Sequence, residues 1–353
     1  MSDADADRKP DTNPVVVAVD DGYAQTKVWY VGDDGKPVRH VIRTSLRSGR
    51  HGLSSMGDDA PSAAYRAEDG GDWTVSDDFV GERTTFDGFH FSDMNRVMIV
   101  HALSAAGLDG RDVILVAGLP VANYFRGDSR DVESVRRKTD NLMKGVTSLS
   151  DDRALPRIRE VLVGCQAVCA YVDFKFDDAM RPRDPEAVGP VAMVDVGGRT
   201  TDIAHVTANR RVDQQDSGTI NLGVLDVYTA LEDAVRREHD LSATDRLPFA
   251  QLDRAVRERT MRLFGRQTDV GALVDAAIAE TETKIGREVQ RMIGKAAMFD
   301  AVVFTGGGGA LFSNLAAGYR NGVVPEDPEF ANARGLHKFG IAKTARARTA
   351  EAA

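Results

Sequence analysis

The 353-residue sequence lacks the features that mark several classes of protein. Its two cysteines, Cys165 and Cys169, form no CxxC pair and have no histidine pair nearby, which argues against zinc and predicts reduced core thiols. No run approaches the roughly 18 apolar residues of a membrane span. The N-terminus is acidic, where a signal peptide would be basic and then apolar. We therefore expect a cytoplasmic protein that does not contact a membrane.

Positive charge is also in deficit, because 45 Lys and Arg face 54 Asp and Glu, giving a formal net charge of −9. An acidic surface repels phosphate backbones, so direct binding to nucleic acid is not expected. Apolar periodicity is missing from residues 1–14 and 346–353. We predict that both are tails that are mostly disordered, with the alternative that the alanine-rich C-terminal tail extends a last helix.

The remaining chain alternates apolar strand patterns with helical ones, which predicts α/β lobes, and its length favours two of them. Residues 43–83 are rich in Gly, Ser and Asp, so loops and short edge strands are expected there. A helix is predicted to begin after Ser92 and to stop at Gly107. The other patterns predict strands at 15–19, 27–31, 113–117, 158–163, 191–196, 203–207 and 301–305, and helices at 132–143, 224–237 and 270–293.

The most informative feature is an internal repeat of strand, Asp, x, Gly in VVVAVDDGYAQTK at 15–27 and PVAMVDVGGRTTDI at 190–203. Glycine after a strand lets backbone N–H groups approach phosphate oxygens. Asp20 and Asp195, one from each copy, are placed to face each other and hold a hydrated Mg²⁺, while Lys27 neutralises phosphate. The alternative for each copy is an ordinary turn, in which Asp and Gly are common.

A third glycine cluster, TGGGGALF at 305–312, follows another apolar strand. Its glycines, Gly306, Gly307 and Gly308, would let a flat base and a ribose lie against the backbone. A flexible linker is the alternative, but linkers do not open a helix. The P-loop, dinucleotide-loop and protein-kinase motifs are absent, which favours a nucleotide site assembled between two lobes.

The order of these motifs resembles the actin, heat-shock chaperone and sugar-kinase superfamily. Within it the chain looks like the ParM family of plasmid-segregation actins, on the doubled Asp of VDDGYAQTKV, on GLPVANYF with VRRKTDNLMKGV, on VDVGGRTTDI and on SGTINLGVLDVYTAL. The resemblance extends over most of residues 15–315. It implies an actin-like (ribonuclease H-like) two-lobed fold, with domain I at 15–170 and a C-terminal return near 330–345. Domain II would then span 171–329.

The resemblance also implies roles for individual residues. Asp20 and Asp195 would organise Mg²⁺, and Asp195 would also help to position water. The contacts to ATP, or to GTP, are expected from Asp21, Gly22, Tyr23, Ala24, Lys27, Gly197, Gly198, Arg199, Thr200, Glu282 and the third cluster. The Glu282 contact would be to the ribose, with a solvated helix face as its alternative.

Two positions depart from the ParM pattern. ParM relatives carry a carboxylate after the strand expected at 158–163, but VLVGCQAVCAY has none. Gln166 instead resembles the glutamine with which actin orients water, although Cys165 beside it leaves the assignment open by one residue. An amide is a poor base, so hydrolysis would be slow. Arg199 replaces a hydroxyl residue, and either a phosphate contact or a solvent-facing side chain is compatible with the sequence.

The function implied is that of a filament-forming ATPase that moves plasmid copies apart and is coupled to DNA by a DNA-binding adaptor at a centromere-like site. Three alternatives share the motifs. A sugar kinase should show a sugar-binding polar cluster, which is not legible. A chaperone needs a long domain after Phe312, where too few residues remain. A chromosomal actin homologue in cell shape or division would be supported by an amphipathic membrane-binding terminus, and neither tail shows one.

Overall fold

A computed structural model describes residues 13–51, 63–76, 81–150, 152–242, 244–245 and 247–351. The predicted N-terminal tail lies outside the described residues up to residue 12. The last helix continues to Glu351, so most of the predicted C-terminal tail extends that helix, as the alternative stated. None of the helices in these ranges is long and apolar enough to cross a membrane.

The N-terminal half is built around a five-stranded sheet in the order β11-β7-β1-β2-β3. The central strand β1 is buried from Val17 to Asp21, because it pairs with β7 on one side and β2 on the other. A four-stranded sheet, β10-β5-β6-β4, includes the short strands expected within 43–83. The elements are β1 (Val15–Asp21), β2 (Gln25–Val31), β3 (Pro37–Arg43), β4 (Leu46–Ser48), β5 (Ala63–Ala67), β6 (Asp72–Val75), α1 (Asp93–Ala105), β7 (Asp112–Leu119), α2 (Val121–Tyr124), β8 (Phe125–Arg126), β9 (Ser129–Arg130), α3 (Val132–Met143), β10 (Val146–Ser148), β11 (Arg157–Cys165) and α4 (Gln166–Lys175).

The C-terminal half contains a second five-stranded sheet in the order β14-β13-β12-β17-β18. Its helices α5 and α7 pack on one face of this sheet, where the largest hydrophobic core lies. The elements are β12 (Val191–Val196), β13 (Thr201–Val206), β14 (Val212–Ile220), α5 (Val224–Glu238), α6 (Phe249–Glu258), β15 (Thr260–Leu263), β16 (Arg266–Asp269), α7 (Gly271–Ile293), β17 (Ala301–Thr305), α8 (Ser313–Ala317), β18 (Gly322–Val323) and α9 (Ala331–Glu351). Short 3₁₀ turns occupy Phe89–Phe91 and Pro328–Phe330.

The two sheets follow the same plan. In each, the first strand pairs antiparallel with the second and the second with the third, while two later strands join parallel on the other side of the first. The internal repeat in the sequence therefore corresponds to a repeat of the sheet topology. α/β sheets bind their ligands at the carboxyl ends of parallel strands. A site is therefore expected at the ends of β1 and β12.

Helices α4 and α9 pack against each other and link the two sheets. Residues of α4 share a core with β12 and β13, and Leu336 of α9 packs against Ala18 and Val116 of the first sheet. The helices cross closely, because a Cβ on Gly335 would lie 1.8 Å from the carbonyl oxygen of Cys169. α4 also crosses residue 170, the expected domain boundary. Both cysteines are buried and free, as predicted.

The local predictions agree with these elements where the signals were strong. Ser92 caps α1, since its side chain accepts a hydrogen bond from the Asn95 amide. The helices predicted at 132–143, 224–237 and 270–293 correspond to α3, α5 and α7. Other helices and strands, among them α4, α6 and the β15–β16 hairpin, carried no clear pattern in the sequence.

Candidate nucleotide site

A cleft with a cavity of about 540 Å³ lies between the carboxyl ends of β1 and β12. Asp20 and Asp195 occupy the next-to-last position of these two strands, so the strand repeat brings them to the same cleft. The sequence-predicted residues that line it are Asp20, Gly22, Tyr23, Ala24, Lys27, Gln166, Asp195, Gly197, Gly198, Thr200, Gly306 and Gly307.

The two aspartates are joined by one side chain from α9. The Asn332 amide nitrogen donates to Asp195 Oδ2 at 2.8 Å and lies 3.5 Å from Asp20 Oδ1. Asp20 also accepts from Gln166 Nε2 at 3.0 Å and pairs with Lys27 Nζ at 3.5 Å. All five side chains are buried, and four separate parts of the chain, β1–β2, α4, β12 and α9, therefore meet at this point.

Asp195 lies in an environment that disfavours its negative charge. Burial, and after it the charge of Asp20, raises the pKa of Asp195 to about 7. Asp195 Oδ1 and Asn332 Oδ1 are buried without a hydrogen-bond partner. Carboxylate and amide oxygens form the hard donor set that Mg²⁺ prefers, and a divalent cation would remove the repulsion between the two carboxylates. The residues of the cleft therefore fit a magnesium ion.

Two positions of the glycine loops leave no room for a side chain. A Cβ on Gly198 would lie 2.7 Å from the Cβ of Ala24, so the first and second glycine loops touch across the cleft. Gly306 has φ +82, and a Cβ there would lie 2.4 Å from Asp195 Oδ1. Glycine is thus required at both positions, by close approach at Gly198 and also by backbone conformation at Gly306. Gly22, Gly197 and Gly198 line the cleft, and the absence of Cβ atoms lets an anion approach their backbone.

Gln166 is the first residue of α4, whose N-terminus points at the cleft. A helix N-terminus carries partial positive charge and free N–H groups, so it favours an anion nearby. The side chain of Gln166 crosses over β7, and a Cβ on Gly118 would lie 2.5 Å from its Cγ. Gly118 therefore creates the space in which Gln166 reaches Asp20.

Asp21, expected at the nucleotide, does not line the cleft. Successive side chains of a strand point to opposite faces, so Asp21 points away from the side that Asp20 occupies. Its carboxylate is fully buried and receives Lys138 Nζ, His90 Nδ1 and Asn95 Nδ2. Burial alone would raise its pKa, but Lys138 and His90 outweigh burial and lower the pKa to about 2. Asp21 thus anchors the first glycine loop on the face of β1 opposite to that of Asp20.

Three other expected contacts also lie outside the cleft lining. Gly308 packs against Val196, to whose carbonyl oxygen its amide donates at 2.8 Å, so it supports the strand end. Arg199 extends to the first lobe, where it bonds Asp87 at 2.9 Å. Glu282 on α7 accepts from Asn314 Nδ2 at 3.1 Å.

Two cleft residues carried a weak signal or none. Asp202 stood in the quoted motif VDVGGRTTDI, yet no role was assigned to it. Its Oδ1 accepts from the Val121 amide at 2.9 Å and from the Thr219 hydroxyl, so it ties β13 to the start of α2. Burial raises its pKa to about 6. Asn332 had no signal, because nothing local distinguishes it within α9.

The far part of the cleft is apolar and was also not predicted. Tyr228 and Phe249 stack edge to face at 4.9 Å, and Tyr228 donates to Asp253 Oδ1 at 2.9 Å. Val256 and Leu311 complete this wall. Its residues come from α5, α6 and the third glycine loop, which no local pattern connects. A flat, largely apolar ring with polar edges fits such a wall.

A second group of potential metal ligands lies at the other end of the second sheet. His205, Asp213 and Asp216 bring ligand atoms within 4.8 Å of one another, since His205 and Asp213 are cross-strand partners. His205 pairs with Ala192, at the beginning of β12 and away from Asp195. This group is therefore separate from the cleft.

Comparisons with known proteins agree with the geometry. Residues 15–175 match the family model of the plasmid segregation protein ParM, N-terminal, and residues 193–316 match that of the archaeal actin homologue MreB-like, C-terminal. None of the curated proteins matches the chain significantly.

Solved structures resemble the chain over nearly its whole length. The archaeal actin homologue Ta0583 in complex with ADP is 21% identical, with a TM-score of 0.70 over 93% of this chain and 99% of that chain. A ParM filament of 15 strands from Clostridium botulinum is 19% identical, with a TM-score of 0.71 over 94% and 100%. A non-polymerisable quadruple mutant of pCBH ParM is 20% identical, with a TM-score of 0.72 over 94% and 100%. At such identities the likeness establishes the actin-like fold, and the two family models agree with it, one of the ParM type over residues 15–175 and one of the archaeal MreB-like type over residues 193–316.

Proposed function

We propose that this chain is a Mg²⁺-dependent ATPase, or GTPase, that hydrolyses the γ-phosphate and forms filaments with the triphosphate, and that these filaments segregate plasmid DNA. The observation that carries the proposal is the pair Asp20 and Asp195, bridged by Asn332 between two glycine loops that touch. In this proposal, domain I comprises residues 15–170 with a C-terminal return near 330–345, and domain II comprises residues 171–329.

The polyphosphate is held by backbone amides of both loops, Gly22 to Ala24 and Gly198 to Thr200, while the Gly197 amide closes the second loop by donating to the Thr200 carbonyl oxygen at 2.8 Å. Lys27 supplies positive charge beside Asp20, and the N-terminus of α4 adds its dipole. Because each loop belongs to a different lobe, a nucleotide bound to both stabilises the closed arrangement. Its binding energy then shifts the equilibrium towards the shape that assembles.

Asp20 and Asp195 would hold Mg²⁺ through its water shell. When bound, the ion neutralises the charge of the phosphates and of the two carboxylates. Gln166 donates a hydrogen bond to Asp20. This bond fixes the amide of Gln166 at the N-terminus of α4, where the amide can orient a water molecule. An amide cannot take up the proton, so we expect Asp195 to position the water as well and hydrolysis to remain slow.

The base would occupy the apolar wall of Tyr228, Phe249, Val256 and Leu311, while Gly306 and Gly307 let the ribose approach the backbone. The polar groups at this wall, Asp253 with Arg257, are already paired at 2.6 Å. The wall suits either purine, which is why both ATP and GTP stand in the proposal.

Coupling to DNA would be indirect. The net charge of −9 disfavours contact with the phosphate backbone, so a DNA-binding adaptor at a centromere-like site is the expected partner. Filaments of the chain itself are supported by its similarity to the ParM filament. Such a protein would act in the cytoplasm, where the plasmid lies.

The test is right-angle light scattering of the purified protein with Mg²⁺ and ATP, beside ADP, GTP and EDTA controls, with phosphate release measured in parallel. We expect scattering to rise only with triphosphate and Mg²⁺ and to decay as phosphate appears. Asp195→Ala should abolish hydrolysis without unfolding, whereas the exposed turn variant Asp34→Ala should behave as wild type. Phosphate transfer to a small hydroxyl compound without assembly would instead indicate a metabolite kinase.

A chromosomal actin homologue is the second candidate, because the C-terminal half matches the archaeal MreB-like model and an archaeal actin homologue shares the fold. Removing the gene from its host discriminates the two. Loss of an otherwise stable plasmid at normal cell shape supports segregation, and altered shape or division with normal plasmid retention supports the chromosomal role.

A further inference from the structure

The hairpin of β15 and β16 presents an aromatic ring to solvent. Phe264 is 80% exposed at the tip, in the two-residue loop Phe264-Gly265, and both residues have positive φ, +48 and +76. Hairpin loops of this type favour Asn-Gly, and a bulky residue is uncommon in the left-handed conformation. The turn itself therefore gives no reason for a phenylalanine.

The hairpin is held firmly, although its tip is exposed. Met261 and Leu263 are buried in the core of the second lobe, and Val270 after β16 donates its amide to the Arg259 carbonyl at 3.0 Å. The neighbours of the tip, Arg262 and Arg266, are exposed. The tip is thus an apolar ring with basic side chains on both sides, at a fixed place.

A second exposed apolar surface lies at the other end of the same lobe. Helix α7 begins directly after the hairpin and runs 23 residues, about 34 Å, to the turn that carries Met298. Met298 is 83% exposed and Val188 is 71% exposed. The segments of both are joined, because the Gly189 amide donates to Asp300 Oδ2 at 2.6 Å. We call Val188, Met298 and the exposed Ala297 the far-end patch.

The charges around the two surfaces favour the contact. The far-end patch lies beside three exposed acids, Asp184, Glu186 and Asp300, and two exposed cations, Arg183 and Lys295. Farther along the same end, Asp213 and Asp216 lie near His205, and the exposed Arg210 and Arg211 are in the turn between the same two strands. The three acids beside the patch can pair with the basic flanks of Phe264, and rim charges of this kind raise the rate of association and fix its register.

Two different surfaces at opposite ends of one lobe make a head-to-tail contact, which leaves a free copy of each surface at the ends of any assembly and so continues into a filament. We propose that Phe264 of one copy of this chain seats on the far-end patch of the next copy. This inference rests on the proposed function, since it names the contact through which the chain assembles.

The first test is the variant Phe264→Asn, in light scattering with Mg²⁺ and ATP. Asparagine favours this turn, so the hairpin stays folded while the ring is lost. We expect the critical concentration for assembly to rise at least about tenfold, as for a buried aromatic anchor, while nucleotide binding stays unchanged. Phe86→Asn, at a 40% exposed aromatic in the first lobe, is the matched control and should assemble as wild type.

The second test mixes two variants that cannot assemble alone. Phe264→Asn keeps an intact far-end patch, and Met298→Asp keeps an intact tip, so together they should form a 1:1 dimer that does not grow, seen by sedimentation velocity. Normal assembly of Phe264→Asn, or no dimer in the mixture, overturns the contact. Failure of the wild type to assemble with any triphosphate overturns the proposed function and the contact together.

Discussion

The two copies of the strand, Asp, x, Gly motif have the same local structure but differ in their electrostatic surroundings. Asp20 of the first copy has the cation Lys27 at 3.5 Å and the Gln166 amide at 3.0 Å. Asp195 of the second copy receives one amide hydrogen bond, from Asn332, and its Oδ1 has no partner. Burial and the charge of Asp20 raise its pKa to about 7.

The companion carboxylates show the same contrast. Asp21 in the first lobe pairs with the cation Lys138 and accepts a hydrogen bond from His90, and the two together hold its pKa at about 2 against the effect of burial. Asp202 in the second lobe receives hydrogen bonds from neutral groups, and burial raises its pKa to about 6. The two aspartates of the first copy are thus paired with cations, whereas Asp195 and Asp202 of the second lobe accept hydrogen bonds from neutral groups. A motif repeated in sequence can therefore anchor the loop on one side of a cleft and form a site that favours binding of a cation on the other side.

The largest effect on the free energy of unfolding is expected from breaking the buried ion pair of Lys138 and Asp21 in the first lobe. Lys138→Met keeps the volume of the side chain but leaves the Asp21 carboxylate buried without its cation. Removing one partner of a buried ion pair costs about 3–5 kcal/mol, so we expect the free energy of unfolding to fall by this amount. Urea denaturation of the protein without nucleotide measures it.

Lys144→Met is the matched control, because Lys144 pairs with Asp69 at the surface, where each side chain is about half exposed. Its cost should stay below about 1 kcal/mol. The pair with Asp21 is also expected to show in acid. Since the folded pKa lies below 3.8, its stabilisation is complete above pH 4 and is lost as the pH falls towards 2. Equal costs for the two lysine variants would contradict the ion-pair account.

A smaller effect of opposite sign on the free energy of unfolding is expected from removing the buried charge of Asp202 in the second lobe. Asp202→Asn keeps an oxygen that accepts from the Val121 amide and from Thr219, and removes the charge that burial disfavours. With a folded pKa of about 6 against 3.8, the contribution of Asp202 to wild-type stability is most favourable below pH 4, and up to about 3 kcal/mol of it is lost as the pH rises past 6. The variant should not show this loss.

Thermal unfolding between pH 4 and 8 measures the difference. The variant should exceed the wild type in stability at pH 8, and the two should converge near pH 4. Asp216→Asn, on the adjacent strand and 52% exposed, is the control and should change stability by less than about 1 kcal/mol at any pH. If the difference in stability between Asp202→Asn and wild type does not depend on pH, burial does not disfavour the charge of the Asp202 carboxylate and the prediction is wrong.

How far the sequence predicts this molecule follows from the range of the interactions involved. Strand ends, glycine loops and the Ser92 cap are local, so their residues could be identified from a few neighbours. The repeat at 15–27 and 190–203 further predicted that Asp20 and Asp195 belong to one cleft, because equivalent strands end at equivalent places. Asp21 was also expected at the nucleotide, but its side chain points away from the cleft, since adjacent strand residues face opposite sides.

The unpredicted parts come from pairs distant in the chain. Asn332 reaches Asp195 across 137 positions, and Lys138 reaches Asp21 across 117. The apolar wall joins Tyr228 of α5 to Leu311 of the third loop. Periodicity marks such residues only as core or surface, and their meeting depends on how helices pack on the sheets.

Arg199 is the position where the two loops are most directly compared, and the smallest effect is expected there. It belongs to the second loop, yet its guanidinium lies 5.3 Å from the ring centre of Tyr23 in the first loop and bonds Asp87. Because Asp87 is 97% exposed, the pair contributes less than about 1 kcal/mol. We expect Arg199→Ala to change the affinity for a fluorescent ADP analogue by less than about threefold. A charge-assisted bond to phosphate would contribute about 1.5–3 kcal/mol, and its loss would weaken binding tenfold or more, as we expect for Lys27→Ala. A tenfold loss for Arg199→Ala would therefore mean that this arginine leaves Asp87 and turns to the phosphates when the nucleotide enters, and that the second lobe recruits the cation it lacks from its own loop.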